Sequence, residues 1–179
     1  MANYDEAFKK MIVNEDSSLS GIVKTDNDGG QVRFGLNSNA HPMLVAANFY
    51  TATRQEALLR AQFYYREWYW EPMKGDLMVD QGVANKVFDQ CVPMGISQAS
   101  KLVQRAINKA GHTQPQLKED GVLGPLSIKA LNASDPKEFL GDFRDVCTAF
   151  YQDVVTAHPE YAHLQDGWEK RLDKGLEWV

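Results

Sequence analysis

Residues 4–16 read YDEAFKKMIVNED, and the apolar stripe in that stretch ends on a carboxylate. Wound as a helix, the stretch puts Tyr4, Phe8, Met11 and Ile12 on one face, at the i, i+4, i+7, i+8 spacing of a core-facing helix. The next position on that face is Glu15. Its side chain borders the stripe, so desolvation penalises the ionised form. It stands in the last turn, where unpaired carbonyls carry partial negative charge. Its i−4 neighbour is Met11, so the helix itself supplies no cation. All three effects keep the acid protonated; the plain alternative is that the helix ends here and Glu15 turns to solvent.

A glutamic acid held neutral near pH 6 can protonate a leaving oxygen, which is what glycoside hydrolysis requires. A second carboxylate is then needed across the sugar. Asp26 and Asp28 lie in the following DNDGG turn and are candidates, although the same residues are ordinary turn formers. A calcium loop is excluded: counting from Asp26, Gln31 holds the sixth position and Asn37 the twelfth, where an EF-hand needs Gly and Glu. Glu6 falls on the opposite face of an ideal helix and becomes a candidate only if the helix is kinked or starts early.

Helix signals dominate the rest of the chain. Thr53-Arg-Gln-Glu56 has the capping-box form and opens a helix running through the aromatic block to Pro72. Apolar-periodic segments follow at 79–94 and from Ser97 to Gly111, a C-terminal cap glycine. HTQPQLKEDGVLGP reads as a loop, and Gly124-Pro125 opens a short helix. Asp135-Pro136-Lys137-Glu138 supplies a cap and a first-turn proline for a long helix reaching His158, before a last amphipathic piece around Trp168. Residues 17–41 are polar and Gly-rich, with apolar pieces at Ile22-Val23 and Val32-Phe34-Leu36, and read as a β-hairpin. The expected architecture is a mainly α bundle with a small hairpin near the N-terminus, packed as one body.

The 179 residues suffice for a core without cross-links, and 44% hydrophobic with 24% charged residues is an ordinary globular balance. No run approaches the ~20 apolar residues of a membrane span, and no signal peptide is expected. A net charge of −5 with scattered Lys and Arg argues against a nucleic-acid partner. Cys91 and Cys147 are expected to be buried free thiols. His158 and His163 match no zinc spacing, and neither a metal nor a cofactor is expected.

The helix ending in an acid, the turn Gly29-Gly30-Gln-Val-Arg-Phe34-Gly35-Leu36, the run from Tyr65 to Pro72, Phe88-Asp89, and Asp120-Gly-Val-Leu-Gly124-Pro125 occur in an order that resembles glycoside hydrolase family 108. These are N-acetylmuramidases with a lysozyme-like fold and a peptidoglycan-binding helical region. The resemblance implies an α+β lysozyme-like catalytic part over 1–75 and a helical peptidoglycan-binding part over 76–179. It makes Glu15 the essential acid and the peptidoglycan glycan strands the substrate. Family members read Glu-Gly-Gly-Tyr where this chain has Glu15-Asp16-Ser17-Ser18, Thr at Val32, Tyr at Phe34 and Asn at Pro93.

Glu15, Asp28, Asp26 and Glu6 form the candidate catalytic set on this reading. Phe34, Tyr65, Trp68, Trp70 and Asp89 form the candidate substrate-binding set, most of the aromatic rings being needed for the core. Trp168 and Trp178 are expected to clamp the C-terminal helix. The function expected is cleavage of the β-1,4 bond between N-acetylmuramic acid and N-acetylglucosamine. The alternatives are a non-catalytic peptidoglycan-binding module with a degenerate site, or a structural helical adaptor of a phage or secretion machine. A monomer made in the cytoplasm is expected, reaching the wall by holin release or secretion-system delivery, with a delivery protein, a larger parent chain or a cognate immunity protein as partner.

Overall fold

In the computed structural model, which describes residues 1–111 and 115–175, the first helix is α1 (Tyr4–Glu15). It buries Tyr4, Ala7, Phe8, Met11 and Ile12, the stripe expected from the sequence. Asn3 caps its start through the Glu6 amide, and Asp16 ends it in an extended conformation. Glu15 is therefore the last helical residue.

The polar segment that follows is a three-stranded antiparallel sheet, not a simple hairpin: β1 (Lys24–Thr25), β2 (Gln31–Arg33) and β3 (Leu36–Asn37), in that order. Ile22-Val23 lies just outside β1. Arg33 pairs with Leu36 across a two-residue turn in which both Phe34 and Gly35 have positive φ, the twist that suits a tight hairpin. A phenylalanine there is unusual, and packing holds it. Its ring is buried against Gly21, where an added Cβ would come to 2.5 Å of it, and its carbonyl accepts a hydrogen bond from the Tyr65 hydroxyl at 3.0 Å. Arg33 underpins the sheet from inside, donating to the carbonyls of Gly21 (2.7 Å), Phe49 (2.9 Å) and Ala52 (2.8 Å).

A single-turn α2 (Met43–Ala46) precedes α3 (Arg54–Tyr65), whose Thr53–Glu56 capping box is fully formed. The chain then widens into a π-helical turn over Arg66–Trp70. The remaining helices are α4 (Gln81–Met94), α5 (Ile96–Lys109), α6 (Pro125–Ala133), α7 (Pro136–Ala157) and α8 (Gln165–Asp173). α4 is the hub of the molecule: α1, α5 and α7 all pack against it, and α8 lies against α7. Ten consecutive residues of α4, Gly82 to Cys91, are buried, as expected of a helix enclosed on all sides. Cys91 and Cys147 are buried free thiols. Trp168 stacks on Tyr151 at 4.8 Å, fastening α8 to α7, while Trp178 lies outside the described residues. No helix among the described residues is long and apolar enough to cross a membrane.

Candidate active site

The end of α1 places Glu15 beneath the β2–β3 turn. An ideal Cβ built on Gly35 would lie 2.7 Å from Glu15 Oε2 and 2.6 Å from the Tyr65 hydroxyl, so the bare glycine backbone roofs the carboxylate. The Glu15 side chain keeps 15% of its surface exposed. Burial pushes its carboxyl above the ordinary value, against the pull of Arg171 and with a small push from Asp89.

Arg171 is the residue that sequence reasoning missed. It arrives from α8, and its NH2 stands 2.8 Å from Glu15 Oε1 and 2.9 Å from Asp89 Oδ1. Its Nε donates to Asp89 Oδ1 at 3.0 Å, and its NH2 to the Asp89 carbonyl at 3.2 Å. Asp89 is fully buried and also accepts from Asn14 (2.9 Å) and Gln90 (3.0 Å). Glu15 Oε1, by contrast, accepts no well-aligned hydrogen bond among the described residues. One guanidinium thus serves two carboxylates, and Asp89 holds it the better. That division lets desolvation win at Glu15 despite the cation at its side.

α8 is itself pinned in place. Lys86 donates to the carbonyls of Arg171 (2.6 Å) and Lys174 (2.7 Å), capping the end of the helix. Burial lowers the Lys86 ammonium to about 8. Lys174 reaches Asn14 Oδ1 at 2.7 Å, next to Glu15 in the chain.

The other candidate acids lie elsewhere. Asp28 accepts from the Gly30 amide (2.8 Å) and from Asn37 Nδ2 (3.2 Å), and these bonds pull its carboxyl below the usual range. Asp26 shares the same Asn37 amide at 3.1 Å. Both sit at the β1–β2 end of the sheet, whereas Glu15 sits under the β2–β3 end. The three residues of β2 lie between the two ends. Glu6 is on the exposed side of α1 and faces Lys10 at 3.8 Å, so the structure does not bring it to Glu15.

The aromatic candidates divide by burial. Phe34, Tyr65 and Trp70 are core residues, at 2%, 0% and 0% exposure, and offer no face to a ligand. The Trp70 indole donates to Asp76 at 2.7 Å and packs on Gly75. Asp89 is likewise closed off, occupied by Arg171. Trp68, on the π turn, is half-buried and stacks between His41 (4.5 Å) and Tyr64 (4.7 Å). Phe63, 58% exposed and edge-on to Tyr64, adjoins this ladder of three rings, and His41 was absent from the sequence candidates. No cluster of metal-binding side chains occurs among the described residues.

Comparison with known proteins finds two likenesses that meet between residues 95 and 98, well past the boundary at 75 expected from the sequence. Residues 18–95 match the glycosyl hydrolase 108 family model, and residues 98–173 match that of a predicted peptidoglycan domain. Each match covers less than half of the chain, so the first is a likeness of residues 18–95 to glycosyl hydrolase 108, with Glu15 outside the matched stretch, and the second a likeness of residues 98–173 to a peptidoglycan domain. A solved structure of Brucella abortus SagA shares the fold at a TM-score of 0.74 and 19% identity, over 98% of this chain and 92% of that one. The mainly α, lysozyme-like architecture is thereby established. No curated protein sequence matches the chain.

Proposed function

We propose that the protein is an N-acetylmuramidase that cuts the β-1,4 bond between N-acetylmuramic acid and N-acetylglucosamine, with Glu15 as the general acid. The likeness of residues 18–95 to glycosyl hydrolase 108 supports glycoside hydrolysis, and that of residues 98–173 to a peptidoglycan domain supports the cell wall as the place of action. The observation that carries the role of Glu15 is its carboxyl pKa, raised by burial although an arginine stands 2.8 Å away. A carboxyl whose pKa is raised holds its proton to higher pH and can deliver it to the glycosidic oxygen as the bond breaks.

Asp28 is the second carboxylate on this reading, with Asp26 as its neighbour in the turn. Its pKa is driven down while that of Glu15 is driven up, the separation that assigns acid and base roles to two carboxyls. Both faces of Trp68 are taken by His41 and Tyr64, so the stacking face for a sugar ring is the outer face of the half-buried His41 ring at the end of the ladder. In this scheme the 1–75 part carries the chemistry and borrows Asp89 of α4 and Arg171 of α8 from the 76–179 part. The enzyme acts in the wall after holin release or secretion-system delivery.

The test is turbidity loss of purified cell walls, with mass analysis of the new reducing ends. The wild type lyses walls and releases fragments ending in reducing N-acetylmuramic acid. Glu15→Gln loses about 10²–10⁴-fold, the range of general acid catalysis. Intact walls after wild-type treatment would instead favour the degenerate binding module, a reading that the Glu15–Arg171 ion pair keeps in view.

A further inference from the structure

A groove of about 590 Å³ opens in the second half of the molecule between α5, the 115–124 segment and α6, away from Glu15. Its walls are mainly aliphatic. Val122 and Leu126 stand 64% and 74% exposed on its rim, and Ala130 and Ala133 of α6 continue the surface. Exposed aliphatic side chains gathered at a concave site mark a place where something docks.

The groove is pre-shaped. Gln104, only 2% exposed, donates to Asp120 (2.9 Å), the Val122 carbonyl (3.0 Å) and Ser127 (3.2 Å), and accepts from the Gly121 amide (3.0 Å). A single buried amide therefore locks the 120–122 turn against α6, so a ligand meets a rigid surface and spends little on ordering it. Gly121 has a φ of +78° and lies so close to Ser97 that a Cβ would reach 2.6 Å from its hydroxyl, which fixes the turn from the other side.

Two features select the occupant. No aromatic ring lines the groove among the described residues, so it lacks the stacking face that sugars favour. Lys118 and Lys129 line it; Lys118 is close enough to Asp120, the one acid of the lining, to help lower its carboxyl pKa, which leaves Lys129 on α6 as the cation facing a ligand carboxylate. Small apolar side chains next to free carboxylates are what such a surface complements. Peptidoglycan carries that chemistry in its stem peptides, short chains of alternating L and D residues with alanine methyls and unpaired carboxyl groups, not in its glycan.

We propose that the groove binds the stem peptide of peptidoglycan, leaving the glycan strand to the surface around Glu15 and Trp68. The assignment deepens the reading of the protein as a peptidoglycan enzyme and rests on the peptidoglycan domain spanning every residue of the groove. Two separate sites on one body would let the enzyme hold a peptide branch while it cuts the strand that bears it.

The experiment is a ¹H–¹⁵N NMR titration of the full chain with two probes, the tetrapeptide L-Ala-γ-D-Glu-L-Lys-D-Ala and peptide-free N-acetylchitohexaose. The tetrapeptide is expected to move the amides of Val122, Leu126, Lys129 and Ala130. Leu126→Asp and Lys129→Glu, both changes of exposed side chains, each weaken its binding at least tenfold. Absence of those shifts, or their appearance with chitohexaose, overturns the proposal. Glu15→Gln separates the two readings, since it is expected to bind the tetrapeptide as the wild type does. Binding without any wall cleavage by the wild type would sink only the enzymatic reading, and cleavage without binding only this one.

Discussion

Glu15 and Asp28 are both acids at the ends of short secondary elements, yet their surroundings drive them in opposite directions. Asp28 stands in water at the head of a turn, where the Gly30 amide and Asn37 hold it ionised. Glu15 is pressed under a glycine roof, and its one cation is already claimed by a better-bonded carboxylate. Ionisation of each group is therefore set by how many donors reach it and how much water is removed, not by the residue type. Asp89 and Glu15 repeat the contrast inside one network, since both touch Arg171 but only Asp89 has its oxygens satisfied.

Removing Asp89 should break that contrast most severely. Asp89→Asn leaves Arg171 buried with Glu15 as its sole carboxylate partner and deprives Lys86 of the acid 4.0 Å away. Loss of one member of a buried pair costs about 3–5 kcal/mol, so denaturant unfolding should show a drop of that order. Arg171 would then stabilise the Glu15 anion, lowering its pKa and shifting the alkaline limb of the pH–rate profile toward acid. An unshifted limb would mean that Asp89 does not compete with Glu15 for the cation.

The pH dependence of stability gives a smaller, cleaner readout of the same competition. A carboxyl whose folded-state pKa is raised binds more protons in the folded than in the unfolded protein between the two values. Its contribution to stability is full below the ordinary value of 4.5 and is lost as pH rises through the raised one. Glu15→Gln should remove that decline, so the variant loses less stability than the wild type between mildly acidic and neutral pH. Parallel wild-type and variant stability curves over that window would refute a raised pKa.

How much of this was legible in the sequence depends on range. The α1 stripe, the Thr53 box and the Asp135 cap were readable because helix periods and caps are local. Glu15 was conspicuous for the same reason, as one polar residue in a periodic row. Arg171 was not, because nothing near it in the sequence says that α8 folds back onto the end of α1. The aromatic block misled at Tyr65, which faces the core from the last turn of α3, and at Trp70, which the π turn after Tyr65 rotates inward. The sheet was only partly readable, because strands of two or three residues are too short to show an alternating pattern.

Gly35 tests the roof itself. Gly35→Ala meets both a left-handed backbone, worth about 1–2 kcal/mol against an L side chain, and a collision with the Tyr65 hydroxyl and Glu15. Gly29→Ala meets the same kind of backbone, at φ +79°, with nothing within 4 Å of the new Cβ. Both variants should lose thermal stability, Gly35→Ala the more, and only Gly35→Ala should lose wall-lytic activity beyond its loss of fold. Equal activity in the two would show that contact between the turn and Glu15 is dispensable.

Asp28→Asn is the mildest change and the one that separates chemistry from architecture. The group is in water, and an amide can still accept from Gly30, so the midpoint of thermal unfolding at neutral pH should hardly move. Lysis should nevertheless fall by roughly a hundredfold, the lower end of what a positioned base contributes, if Asp28 activates the water opposite Glu15. The wild-type acid limb should then lie below the ordinary aspartate range, because the hydrogen bonds to Asp28 favour its anion, and it should disappear in the variant. An Asp26→Asn control keeps the shared Asn37 contact under test from the other side. If Asp28→Asn lyses walls at the wild-type rate while Asp26→Asn does not, the second carboxylate is Asp26; if both are fully active, the DNDGG turn only shapes the sheet and the partner of Glu15 must be sought elsewhere.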